Sequence, residues 1–149
     1  MKSLGDEIFN SMKRYNSMCA LKIGSRQISY DELNNKALSV AGFLSNHGMV
    51  NRNVGIVTQR SFSAYAGILG TIYAGCAYVP INPKYPKERI SDIVKQADIK
   101  VLVGSESDWG EMRDKIHDID GVKYVLFPEA REIFLEKPLI GVFERLACR

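Results

Sequence analysis

The stretch Tyr73-Ala-Gly-Cys-Ala-Tyr-Val-Pro-Ile-Asn-Pro-Lys-Tyr-Pro-Lys-Glu-Arg89 decides the fold, because it holds a helix end, a strand, a turn and a helix start in succession. Gly75 is placed to end the first helix, since glycine takes a left-handed backbone without a Cβ clash. Ala77–Ile81 is a short apolar run suited to a buried strand. Pro80 has no N–H to give to a ladder, so that strand must be short or lie at a sheet edge there. Pro86 has its φ preset for the first turn of the next helix, where Glu88 suits the positive end of the dipole.

Working outward, Ser61–Ala74 reads as a helix with Phe62, Tyr65, Ala66, Leu69 and Ile72 on one face. Gly67 and Gly70 weaken it by about 1 kcal/mol each relative to alanine, so something must approach that side closely. Upstream, Asn53–Val57 is a candidate buried strand. Before it lies a well-specified helix start: Ser29-x-x-Glu32 forms a capping box, and Ile28 and Leu33 form a hydrophobic staple. That helix presents Leu33, Ala37, Val40, Ala41 and Leu44 and ends near Gly48. Met18–Ile23 and Gln27–Ser29 flank Gly24-Ser25-Arg26 as a hairpin, and Ser3–Tyr15 has a helical spacing of Leu4, Ile8, Phe9 and Met12.

Downstream, Pro86–Ala97 places Ile90, Ile93, Val94 and Ala97 on one helical face. Ile99–Val103 is a strand, Ser107 is positioned to cap a helix carrying Trp109, Met112 and Ile116, and Asp120-Gly121 turns into a strand at Val122–Phe127. Short apolar runs alternating with longer helical patterns are the signature of βαβ units. The expected fold class is α/β: a mostly parallel sheet with helices on its faces, plus a small N-terminal hairpin. Residues 1–127 form one α/β unit, and 128–149 a tail in which Pro138 starts an amphipathic helix with Leu139, Val142, Phe143 and Leu146.

The totals narrow the classes. A chain of 149 residues is about one domain by the usual prior of ~150 residues. Net charge is 20 − 17 = +3 without a Lys/Arg cluster, too small to argue for a nucleic-acid partner. The least charged stretch, Ser61–Asn82, is broken by Gly67, Gly70, Gly75 and Pro80, which speaks against a membrane span. Asp6 and Glu7 occupy the start where a secretory signal would be apolar. Cys19, Cys76 and Cys148 are an odd, widely spaced set, with Cys19 and Cys76 in apolar context as small core residues. No Cys-x-x-Cys pair occurs and His47 and His117 are far apart, so no metal site is expected, and a reducing cytoplasm fits best.

Ala74-Gly75-x-Ala77-Tyr78-Val79-Pro80-Ile81 followed by Pro83-x-Tyr85-Pro86-x-Glu88-Arg89 closely resembles the second core motif of the adenylation domains of non-ribosomal peptide synthetases. Those domains belong to the acyl-adenylate-forming enzymes, with acyl-CoA synthetases and luciferases. Ile28-Ser29-Tyr30-Asp31-Glu32-Leu33 resembles the first core motif of the same domains, at the appropriate place upstream. Two positions depart from the usual pattern: Tyr73 stands where lysine is common and Asn82 where aspartate is common. The resemblance spans Ile28–Val103 and fades toward Phe127.

The resemblance implies an ATP-dependent carboxylate ligase, with an amino acid favoured as substrate, Mg²⁺ as co-reactant and transfer to a pantetheine thiol on a carrier protein. Such chemistry needs backbone N–H groups and hydroxyls facing the ATP phosphates. Here only Thr58 and Thr71 are threonines, and neither a Gly-rich Ser/Thr segment nor a Gly-x-x-x-x-Gly-Lys-Ser/Thr loop occurs. The family's phosphate loop, acyl pocket and C-terminal lysine lie beyond the matching stretch. The expectation is therefore an N-terminal part of an adenylating ligase, truncated before its phosphate-binding loop and not competent alone. No catalytic, cofactor-binding or metal-ligating residue is assigned, and ATP and Mg²⁺ belong only to a complete enzyme. The alternative is a stand-alone interaction or dimerisation module without catalysis; a small-nucleotide binding module is a weaker third reading. The expected partner is the missing remainder or a second copy, with neither nucleic acid nor membrane.

Individual groups have plain structural readings. Tyr78, Pro80, Pro83, Tyr85 and Pro86 fix a buried turn. Thr58-Gln59-Arg60 follows the carboxyl end of a strand, where α/β sheets place ligands, though a solvated loop capping the next helix suits it better. Glu88 and Arg89 read as a helix-start charge pair, His47 as an exposed helix-end residue, Asp118 and Asp120 as turn residues, and Ser61 as a cap rather than a nucleophile.

Overall fold

The computed structural model describes residues 1–130 and the backbone of 134–136. Elements follow in the order α1 (Leu4–Arg14), β1 (Cys19–Ile23), β2 (Arg26–Ser29), α2 (Tyr30–Asn46), β3 (Asn53–Val57), α3 (Phe62–Tyr73), β4 (Ala77–Ile81), α4 (Lys87–Gln96), β5 (Val101–Val103), α5 (Glu106–Ile116), β6 (Tyr124–Leu126) and β7 (Phe134–Glu136). The expected α/β architecture is present. β1 and β2 form an antiparallel hairpin, and the remaining strands form a five-stranded sheet in the order β4-β3-β5-β6-β7. Strands β3 to β6 are parallel; β7 joins β6 antiparallel, an edge strand that the sequence did not signal. The anticipated tail helix at Pro138–Ala147 lies outside the described residues, as does Cys148. Among the described residues no helix is long and apolar enough to cross a membrane.

Strand alternation feeds two layers. On one face Val54, Ile56, Val101, Val103 and Leu126 meet Val40, Phe43 and Leu44 of α2 and Ala64 of α3. On the other, Val57, Ile81 and Leu102 meet Ile90 and Val94 of α4 and Met112 and Ile116 of α5. β5 is buried on both faces, as expected of an inner parallel strand. A third cluster, with Met12, Ile28, Leu33, Phe62 and Ala66, joins α1 and the hairpin to α2 and α3; it contains both residues of the expected staple.

Local signals agree with the structure at several joints and differ from it at others. Gly75 ends α3 at φ +69°, and β4 has the expected limits. That strand is not buried, however: it is an edge strand, with Ala77, Tyr78 and Pro80 exposed. Pro86 stands one residue before α4, as its N-cap, rather than in its first turn. Ser29 caps α2 by accepting from the Glu32 N–H at 3.1 Å, but the reciprocal half of the box is absent because Glu32 turns to Arg26. Complete capping boxes occur instead at Ser3/Asp6 and Ser105/Asp108, so Ser105, not Ser107, caps α5. Cys19 is exposed rather than core, and Leu4 is also exposed.

Helix α3 corrects a larger expectation. Its most buried residues are Phe62, Ser63, Ala64, Ala66, Gly67, Gly70 and Thr71, whereas Tyr65 is exposed and Leu69 and Ile72 are half-buried. The small residues face inward because neighbours leave no room for more. A Cβ on Gly67 would lie 2.8 Å from Val103 Cγ1, and one on Gly70 would lie 2.6 Å from the Ala37 carbonyl oxygen and 2.6 Å from Val40 Cβ. Tyr73, at the last turn, donates to Asn34 Oδ1 at 2.9 Å and packs edge-on against Phe9 at 5.9 Å, tying α1, α2 and α3 together.

Gly70→Ala places a methyl against backbone and should destabilise by about 1–3 kcal/mol, as overpacked sites do. Gly42→Ala, in α2 where nothing lies within 4 Å of the new methyl, should stabilise by about 0.5–1 kcal/mol. Urea denaturation of the two variants tests this; equal midpoints would show that α3 does not approach α2 as closely as described.

Candidate functional site

In a parallel sheet wound both ways from a central strand, ligands sit outside the carboxyl ends where the winding reverses. Here the chain goes from β3 outward to β4, then crosses back to β5 on the other side of β3. The reversal therefore lies between the carboxyl ends of β3 and β5, at the loops Thr58–Ser61 and Gly104–Ser105. The Thr58-Gln59-Arg60 segment singled out from sequence is at this position, and all of its side chains are exposed.

Each of the two helix starts flanking the crevice carries a serine cap that takes one first-turn N–H. Ser61 Oγ accepts from the Ala64 N–H at 3.1 Å. Ser105 Oγ accepts from the Asp108 N–H at 3.2 Å, while Asp108 Oδ2 accepts from Ser105 N–H at 3.3 Å and Ser105 Oγ–H at 2.6 Å. A buried carboxylate at the start of α5, with Glu106 beside it, occupies the place where an anionic phosphate would gain from the dipole. Arg60 is the one cation in the Thr58–Ser61 and Gly104–Ser105 loops. The arrangement offers neither a paired nucleophile and base nor a cradle of backbone donors.

What does assemble at this end of the sheet is an ionic clasp that sequence reasoning missed. Arg26, from β2, donates to Glu129 Oε1 at 2.8 Å and to Glu32 Oε1 at 2.6 Å. Glu129, after β6, also accepts from the buried Ser63 hydroxyl at 3.0 Å. The Arg26 guanidinium lies over the Phe62 ring at 5.0 Å. Glu129 first, and then Glu32, hold the guanidinium more firmly protonated than usual. Hairpin, α2, α3 and the segment after β6 thus meet at one side chain. Arg26 and Glu129 are 103 positions apart, so no local pattern signals the pair.

The turn after β4 is held differently from expectation. Only Pro83 of the five Tyr/Pro positions expected to form a buried turn is buried; Tyr78, Pro80, Tyr85 and Pro86 are exposed. The turn is pinned from α5 and the segment after it: Lys115 Nζ donates to the Pro83 carbonyl, and Lys87 pairs with Asp118. The ion pair at this helix start is therefore Lys87–Asp118 rather than Glu88–Arg89. Lys87, followed by His117, holds the Asp118 carboxyl down at about 2. His47, exposed as expected, stacks on Phe43 at 3.9 Å. Burial pushes the Cys76 thiol up, and its Sγ donates to the Met49 carbonyl at 2.9 Å, a structural rather than reactive setting. A cleft of about 330 Å³ lined by Val50, Asn51, Arg52, Asn53, Ala97 and Asp98 lies at the opposite, amino end of β3. Its charges are paired internally, Asp98 with Arg52 at 3.4 Å and with Lys100 at 2.8 Å.

Two predictions follow from these contacts. Arg26→Met should lower stability by about 1 kcal/mol or less, given its half-exposed pairs, and should speed amide exchange in 127–130. The loss should shrink in high salt, which screens exposed charges; a salt-independent loss counts against an ionic clasp. Because the folded Asp118 carboxyl titrates below its unfolded value of 3.8, its contribution is present above that pH and is lost as pH falls toward about 2. Lys87→Met should move the Asp118 midpoint upward in an NMR titration, and an unmoved midpoint would contradict the pairing.

Comparison with known proteins gives this architecture its family. The AMP-binding enzyme family matches residues 8–138, beyond both ends of the Ile28–Val103 stretch that carries the sequence motifs. Bacitracin synthase 1 of Bacillus licheniformis is 48% identical over 84 residues, covering 56% of this chain and 2% of that protein. The structure superimposes on IdnL7 with a TM-score of 0.73 at 30% identity, covering 86% of this chain and 25% of the other. It also superimposes on the N-terminal subdomain of Klebsiella oxytoca NpsA in complex with 3-hydroxybenzoyl-AMSN, with a TM-score of 0.60 at 27% identity, covering 68% of this chain and 26% of the other. The chain thus spans about a quarter or less of each of these relatives, and its sheet order, its motifs and these matches agree that it belongs to the AMP-binding enzyme family, as an N-terminal part of an adenylation domain.

Proposed function

We propose that this chain is the scaffold part of an ATP-dependent ligase that activates an amino acid as its adenylate, and that it does not adenylate alone. The observation that carries this reading is the state of the crevice between β3 and β5. Its two helix starts are capped from within by Ser61 and by Ser105 with Asp108, and α5 opens with carboxylates. A site in that condition does not attract a triphosphate. The sequence also has no Gly-rich Ser/Thr segment to serve as a phosphate loop.

An amino acid is favoured over another carboxylate by the form of the motif at Ala74–Arg89, which resembles that of peptide synthetases. Mg²⁺ and a pantetheine-bearing carrier protein belong to the complete enzyme, with the remainder of the adenylation domain as the immediate partner. Residues 1–127 are the structural unit in this reading, and a cytoplasmic setting suits its unpaired cysteines.

The test is amino-acid-dependent exchange of pyrophosphate into ATP. The chain alone should give none, and mixing it with an adenylation domain that lacks the corresponding N-terminal quarter should restore exchange. Exchange catalysed by the chain alone would contradict the reading.

A further inference from the structure

The outer edge of β4 has an uneven supply of hydrogen-bonding groups. On its inner side, the Ala77 N–H donates to the Arg52 carbonyl at 3.0 Å and the Ile81 carbonyl accepts from the Thr58 N–H at 2.9 Å. In a parallel ladder the N–H and C=O of one residue point to the same neighbour, and those of the next residue point away. Ala77, Val79 and Ile81 therefore face β3, while Tyr78 and Pro80 face outward. Among the described residues no strand lies on that outer side. Of the two outward positions Pro80 has no N–H, and its ring occupies the space that an incoming carbonyl would enter.

We propose that Pro80 closes the β4 edge to strand addition, so that a second copy of this chain cannot extend the sheet there. An exposed parallel edge is otherwise a ready template for pairing with another chain. Here an added strand would find one outward donor, the Tyr78 N–H, and would leave its own carbonyl unpaired opposite Pro80. The exposed side chains of Tyr78 and Pro80 offer apolar surface at the same edge, so with an N–H at position 80 it would be a sticky one. The register places Pro80 beside Ile56, near the carboxyl end of the strand. The obstruction thus sits beside the turn, where a new strand would have to begin or finish its pairing.

The device is testable with the full chain. In the wild type, amide exchange should find the Tyr78 N–H unprotected and the Val79 N–H, which faces β3, protected. Pro80→Val restores an outward donor with a strand-favouring side chain. It should turn a monomer into a concentration-dependent dimer or larger species by light scattering, with the Tyr78 amide gaining protection. A protected Tyr78 amide in the wild type would overturn the proposal, and so would a Pro80→Val protein that stays monomeric with Tyr78 still exchanging freely. Should the valine variant not fold, Pro80→Ala and the wild-type contrast between Tyr78 and Val79 decide on the same terms.

Discussion

The close approach of α3 to its neighbours is the constraint on which the rest of the structure depends. This helix lies between the parallel sheet and α2, and at Gly67 and Gly70 there is no volume for even one methyl group. Thr71, buried next to Gly70, returns its hydroxyl to the Gly67 carbonyl at 2.7 Å, so this buried polar side chain is satisfied within the helix. With α3 set at that depth, α2 reaches past it to pack on β3, β5 and β6. The start of α3 then stands beside the hairpin, where Phe62 can lie beneath the Arg26 guanidinium. Dispersion is lost steeply with small gaps, so a layer this close rewards small residues rather than large ones.

From that arrangement the sheet's carboxyl end inherits its character. The clasp of Arg26 with Glu129 and Glu32 fixes the course of the chain beyond β6, and the caps at Ser61 and Ser105 close the helix starts beside the crevice. These are devices of order rather than of chemistry. In the proposed reading they suit a unit that presents a firm surface to the remainder of the adenylation domain. The family match over 8–138 and the quarter-length coverage of IdnL7 mark the chain as one part of an adenylation domain.

Much of this was legible in the chain because local chemistry decides it. Gly75, the limits of β4, the Ser29 cap with its Ile28–Leu33 staple, and the alternation of strands and helices all follow from residues a few positions apart. Pro80 calls for a short strand or an edge, while the apolar run around it reads as a buried strand; the strand lies at an edge, so the missing N–H wins. The buried face of α3 departs from its bulky residues because that pattern assumes an ordinary separation between layers, and here the layers are closer. Ser105 and Ser107 can each start the helix, and only Ser105, with Asp108 three positions on, completes a reciprocal cap. The Arg26–Glu129 pair and strand β7 depend on parts of the chain brought together only by folding. The crevice itself is half-visible in the sequence: Thr58-Gln59-Arg60 follows a strand's carboxyl end, where ligands sit, yet its residues suit a solvated loop better, and nothing near it shows that the opposite helix start holds its own carboxylate.

The measurement that bears most directly on the central claim is calorimetric titration of Mg²⁺-ATP into the purified chain. The account predicts no saturable binding, because the described residues supply no phosphate cradle. Saturable binding in the micromolar range, lost on neutralising Arg60, would place a working nucleotide site in the crevice and contradict the reading of this chain as scaffold.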